Sequence, residues 1–180
     1  MTENKRPDDL PGFDEPLALL RACHEKILAH CDLLEGLVAH MAGAGPDTEA
    51  RKTAERITRY FLTSARLHHR DEEEDLFPRL NRQSLKIAEL VYALKKEHEQ
   101  LETLWETLSP ELKRLPGEGF SEEFTRAASD FCGLYIQHIE RENMEFLPLA
   151  TSSLSQQELV EIGESMAERR GVPLSSQRNL

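Results

Sequence analysis

The chain has 180 residues, 39% of them hydrophobic and 31% charged, with a formal net charge of -11. That is enough for one domain with its own core and excludes a disordered chain, and the acidic balance gives nucleic acid or an anionic lipid surface no overall attraction. No run approaches the roughly 18 apolar residues of a membrane span, no signal-peptide stretch opens the chain, and Cys23, Cys31 and Cys132 read as reduced thiols, so a cytoplasmic protein is expected.

Residues 1–13 carry Pro7, Pro11 and Gly12 and are predicted to form a flexible lead. Asp14 is expected to cap a first helix that has Glu15 and Pro16 in its opening turn and runs to about Met41. Gly43, Gly45 and Pro46 end it, and Asp47 or Thr48 starts a second helix running toward Phe77 near Pro78. Ser84 caps a third helix to about Leu108, where Ser109 and Pro110 end it or begin a further turn. Pro116, Gly117 and Gly119 break the chain, and Ser121 caps a fourth helix to about Leu147. A short fifth helix is expected from Ser155, ahead of a loose tail. Period-2 alternation is absent, so no strand is predicted.

Apolar positions recur in steps of three and four: Leu17, Leu20, Ile27, Cys31 and Leu34 on the first helix; Ile57, Phe61, Ala65 and Leu76 on the second; Val91, Leu94, Leu101 and Trp105 on the third; Phe124, Ala128, Phe131 and Tyr135 on the fourth. Four such stripes with short connections predict an all-α fold, an antiparallel up-down-up-down four-helix bundle over residues 14–151, with the short fifth helix and tail in 152–180.

Histidines interrupt these stripes once per helix, at His24, His68, His98 and His138, and Glu72 and Glu142 follow two of them by four residues, on the same helix face. The histidines stand at matching distances from the connecting turns: 19 and 20 residues across the first turn, 14 and 14 across the second, 18 and 17 across the third. At about 1.5 Å per residue the four imidazoles fall in one layer. RLHHRDEEEDLFP and IQHIERENMEFLP align on Pro78 and Pro148, which fixes the register at His68 and Glu72 rather than His69 and Glu73, and suggests two helical hairpins that each give two histidines and a glutamate.

One histidine on an apolar face is ordinarily a hydrogen-bonded core residue; four at one level with two carboxylates point to metal. Two divalent ions suit two carboxylates and four neutral imidazoles, and mixed N/O ligands leave iron, manganese and zinc all open. His30, His40 and His69 lie off the stripes and are read as solvated or beside the ligands. Glu73, Glu74 and Asp75 read as an exposed charged face, with Glu73 a candidate to touch the site, Glu102 as a candidate extra ligand, Cys31 as buried packing, and Tyr135 as core or as a donor to the site.

HEKI from His24, HHRDEEEDLFP from His68, KEHEQL around His98 and YIQHIERE from Tyr135 together resemble the hemerythrin-like, or HHE cation-binding, family over about residues 17–150. The resemblance implies a non-haem centre of two iron ions with an oxo or hydroxo bridge, ligated by His24, His68, Glu72, His98, His138 and Glu142, with both glutamates bridging; manganese and zinc stay open. It implies a small diatomic partner, oxygen or nitric oxide; a monomer or weak homo-oligomer is expected and, from charge and hydropathy, no nucleic-acid or membrane partner. Oxygen carriers of the family have a fifth ligand histidine on the third helix and a late aspartate. Here Leu94 and Glu102 flank His98 and the late carboxylate is Glu142, closer to the branch linked to iron handling, sensing and nitrosative-stress repair. A metal-binding or sensing protein is favoured over an enzyme; the alternatives are a di-iron oxidase or peroxidase, an iron-storage or stress-repair protein, and a metal-free interaction domain.

Overall fold

The computed structural model describes residues 11–115, 117 and 119–173, which leaves most of the predicted lead, Pro116 and the tail from Leu174 outside the described residues. Every element among the described residues is helical: α1 (Pro16–Gly43), α2 (Thr48–Leu62), α3 (Ser64–Arg70), a π-helical segment (Asp71–Leu76), α4 (Phe77–Leu80), α5 (Leu85–Arg114), α6 (Glu122–Arg141), a second π-helical segment (Glu142–Phe146), α7 (Leu147–Ser153) and α8 (Gln156–Arg169).

Starts and stops follow from local chemistry. α1 begins at Pro16, whose missing N–H costs nothing there; its N-cap is Glu15 and not the expected Asp14, and no side chain caps it. Asp47 caps α2, accepting from the Ala50 N–H at 2.8 Å, and its other oxygen meets His40 Nε2 at 3.0 Å, tying the end of α1 to the start of α2. Ser84, Ser121 and Ser155 cap α5, α6 and α8, the last as a full capping box with Glu158. α5 runs through Pro110 and ends only where Leu115 turns left-handed at φ 46°.

Two departures from the expected continuous helices matter for the site. At Thr63 the backbone breaks α2 from α3. Beyond α3 and α6, one turn widens to the π form, in which the Phe77 N–H donates to the Glu72 carbonyl and the Leu147 N–H to the Glu142 carbonyl. The cause is written in the repeated proline. Pro78 and Pro148 have no N–H for the carbonyl four residues back, and the ring needs room there. A single wide turn provides it, a device frequent at functional sites. Its effect is that the backbone of each glutamate is held by the bond that ends its own wide turn.

α1 packs on α2 and α6, and α5 packs on the same two helices from the other side. Two apolar clusters fill the interior. One holds Ile27, Phe61, Trp105, Phe131 and Tyr135; the other holds Leu20, Leu76, Phe77, Leu94 and Phe146, closed by Ile162 and Met166 of α8. Along every bundle helix the polar residues of the stripe stand between these clusters. No helix among the described residues is long and apolar enough to cross a membrane.

Candidate metal centre

The layer between the clusters holds all six sequence-predicted ligands, each no more than 5% exposed: His24, His68, Glu72, His98, His138 and Glu142. Their donor atoms sort two by two. Glu72 turns Oε1 toward His68 Nε2 (3.3 Å) and His24 Nε2 (3.8 Å), and Oε2 toward His98 Nε2 (3.4 Å). Glu142 turns Oε2 toward His24 Nε2 (3.1 Å) and Oε1 toward His138 Nε2 (3.3 Å). Hence one group is His24, His68, Glu72 and Glu142, the other is His98, His138, Glu72 and Glu142, and within each the donor atoms lie within 4.8 Å of one another. The first histidine pair comes from the first predicted hairpin and the second pair from the other, while both carboxylates belong to both groups.

All four glutamate oxygens, His24 Nε2 and both ring nitrogens of His68 are buried with no hydrogen-bond partner. Leaving two carboxylates in that condition costs several kcal/mol each, roughly, so the set demands positive charge. Six hard-to-intermediate N/O donors around a common point fit one or two metal cations. The outward faces of the rings fit too. His24 Nδ1–H donates to Asn143 Oδ1 (2.9 Å), His98 Nδ1–H to Glu73 Oε1 (2.6 Å) and His138 Nδ1–H to Glu97 Oε2 (2.8 Å), and Arg141 holds Glu97 in turn. An oxygen acceptor behind Nδ1 fixes the tautomer and leaves the Nε2 lone pair facing inward.

Protons counter the carboxylates in the same places. Burial lowers the His24 pKa, but the facing carboxylates of Glu142 and Glu72 overcome that and raise it to about 9. Burial likewise opposes, and the charge of Glu142 prevails, at His138, raised to about 10. His68 has the Glu72 carboxylate beside it yet falls to about 4, because burial dominates. Burial pushes Glu142 up, and the facing imidazole of His138, with His24, holds it well below the usual carboxylate range. Glu72 is lowered too, although burial and the charge of Glu142 both push it the other way.

The remaining expectations divide. Glu102 is not at the cluster; it lies 67% exposed, 3.8 Å from Arg66. Glu73, its side chain still 42% exposed, holds His98, and Asp75 is buried at 6% because α8 covers it and Arg169 Nη2 meets it at 2.9 Å. His69 takes the second of its two expected placements, beside the ligands: its ring stacks on His98 with centroids 3.9 Å apart, and Tyr135 Oη lies 3.5 Å from its Nε2. Sequence reasoning missed Glu97 and Asn143. The signal was position: each sits next to a stripe ligand, as Glu73 does, which sets its side chain on the flank of that ligand.

Comparison with known proteins agrees with this geometry. The family model described as the hemerythrin HHE cation-binding domain matches residues 15–150. An uncharacterized protein of Haemophilus influenzae is 32% identical over 166 residues, which cover 92% of this chain and 96% of that protein. With the match spanning every element that carries the six buried donors, the chain belongs to the hemerythrin HHE cation-binding family.

Proposed function

We propose that this protein is a non-haem di-iron protein that binds or senses oxygen, nitric oxide or iron at a dinuclear centre of four histidines and two glutamates, inside an antiparallel four-helix bundle. One observation carries the reading: two buried carboxylates whose oxygens lack hydrogen-bond donors are each divided between two imidazole pairs. His24 and His68 are assigned to one ion, His98 and His138 to the other, and Glu72 and Glu142 to both.

When bound, the ion pair supplies a reversible Fe(II)/Fe(III) change and a position for a small ligand. The chain does the rest. Asn143, Glu73 and Glu97 orient three imidazoles, Phe77 and Phe146 keep water from one side of the layer, and Phe61 and Phe131 belong to the apolar cluster on the other. Tyr135, buried beside His69, places a hydroxyl donor at the edge of the layer.

Protein from iron-replete cells is expected to carry about two iron ions per chain. Glu72→Ala and Glu142→Ala each remove most of the metal, as read by elemental analysis. Retention of full stoichiometry by both variants overturns the ligand assignment. Anaerobic optical titration of the loaded protein with oxygen and nitric oxide then separates gas binding from storage. A second reading, a peroxide-consuming or oxygen-activating enzyme, is favoured by the Tyr135–His69 contact. Peroxide turnover above that of free iron, abolished in His138→Ala, selects it, and turnover equal to free iron discards it.

A further inference from the structure

The six donors divide evenly into two groups that share both glutamates, but what stands behind the rings is not alike. The ring N–H groups of His98 and His138 donate to carboxylates, Glu73 Oε1 at 2.6 Å and Glu97 Oε2 at 2.8 Å. His24 donates to the uncharged amide of Asn143 at 2.9 Å, and both ring nitrogens of His68 are without a partner. The two prolines that align the halves of the chain also align Glu73 with Asn143, so the same place in each wide turn carries a charge in one and none in the other. A carboxylate behind an imidazole makes the inward nitrogen a stronger donor than an amide does, and its charge adds to the attraction for a cation.

Neighbouring charges leave this difference standing. Arg141 holds Glu97 and offsets part of its charge. No arginine or lysine pairs with Glu73 among the described residues: Arg70 goes to Glu74, Arg66 to Glu102, and Lys95 is exposed. In the first wide turn the carboxylates of Asp71, Glu74 and Asp75 meet the guanidiniums of Arg70, Arg169 and Arg170, and cancel. Access favours the same pair of histidines. A cavity of about 510 Å³ between α3, α5 and α6 is lined by His98 and Glu73 and by none of His24, His68 and His138. Once a first divalent ion has neutralised the two shared carboxylates, a second meets its repulsion across them.

We propose that the two halves load in order: a first divalent cation is held by His98, His138 and the shared glutamates, and a second, more weakly, by His24, His68 and the same glutamates. The weaker half is then the one whose occupancy follows the cation concentration. The inference deepens the function proposed above and rests on it for the presence of two ions; of the roles named there, it fits a response to the metal itself.

The probe is cobalt(II) alone, added to the metal-free full chain; it is paramagnetic and shifts the proton resonances of the imidazoles that bind it. Competition with a chelator is expected to show two steps at least about tenfold apart. At one equivalent the shifted ring signals are those of His98 and His138, and those of His24 and His68 follow with the second. Glu73→Gln and Glu97→Gln each weaken the first step by about tenfold, drawing the two steps together, and Asn143→Ala weakens the second alone. His68→Ala keeps the tighter ion and His98→Ala only a weaker one; should either fail to fold by circular dichroism, the Gln variants and the order of the shifted signals decide. Uptake of both ions in one step, or His24 and His68 signals first, overturns the order. Equal weakening of both steps in Glu97→Gln overturns the part given to the charge behind the ring. Iron analysis of protein from iron-replete cells keeps the two readings apart. Ordered cobalt uptake without iron retains the order and removes the di-iron function, two iron ions per chain with one-step uptake does the reverse, and no metal of either kind removes both.

Discussion

At His138 the imidazole is fixed at both nitrogens, by Glu142 inside and by Glu97 behind, with Arg141 holding Glu97. Removing such a backing acceptor typically costs 10–100-fold in metal affinity, roughly. Glu97→Ala is expected to lose that much in competition with a chelator, and Glu99→Ala, on the exposed face, to lose none. The same residues set a pH dependence for the metal-free chain. His24 and His138 are raised from 6.5 to about 9 and about 10, so the stability they add is complete below about 6.5 and is lost as pH rises through those values. Glu72 and Glu142 are lowered from 4.5, so their contribution is complete above that value and is lost in acid. Chelated protein is therefore expected to melt at a lower temperature at pH 10 than at pH 7. Loaded protein, with cations in place of the protons, should not show that decline. Identical profiles for the two forms count against a shared role of protons and cations at these residues.

The two wide turns are the elements that aim the carboxylates, each closed by a bond to the carbonyl of Glu72 or Glu142. Pro78→Ala restores an N–H for the Glu74 carbonyl and lets an ordinary α turn form in its place. The expected result is a loss of about tenfold in metal affinity with helix content unchanged by circular dichroism. Unaltered affinity detaches the wide turn from the site. The six core donors, the caps at Ser84, Ser121 and Ser155 and the end of α1 were legible because each rests on a period of 3.6 or on one side chain's local bond. The wide turns were not. The repeat displayed its prolines, but a hydrophobic pattern survives one extra residue at a helix end, and no side chain announces a change of backbone pairing. Glu97 and Asn143 stayed hidden for a related reason: polar residues on a helix flank look alike until a neighbouring helix decides which of them are covered.

Over the molecule as a whole, α8 grips the first wide turn. Asp71, fully buried and next to Glu72, receives both ends of Arg170 (3.0 and 2.6 Å) and a further bond from Arg169, which also reaches Asp75. The paired change Arg169→Ala and Arg170→Ala strands that carboxylate, and a cost of about 3–5 kcal/mol is expected in urea unfolding. Gly163 is the other contact of this face: a Cβ there would stand 1.8 Å from the Phe13 carbonyl oxygen. Gly163→Ala should cost about 1–3 kcal/mol by the same measurement, since backbone must yield rather than a side chain. The greasy interior is thus interrupted by a charged floor running straight across the barrel. Oil on each side cannot hold that floor together; only what neutralises it can. A strong chelator should accordingly unzip the protein from its middle outward, with amide exchange quickening first in the turns around His24, His68, His98 and His138 while both greasy ends stay protected.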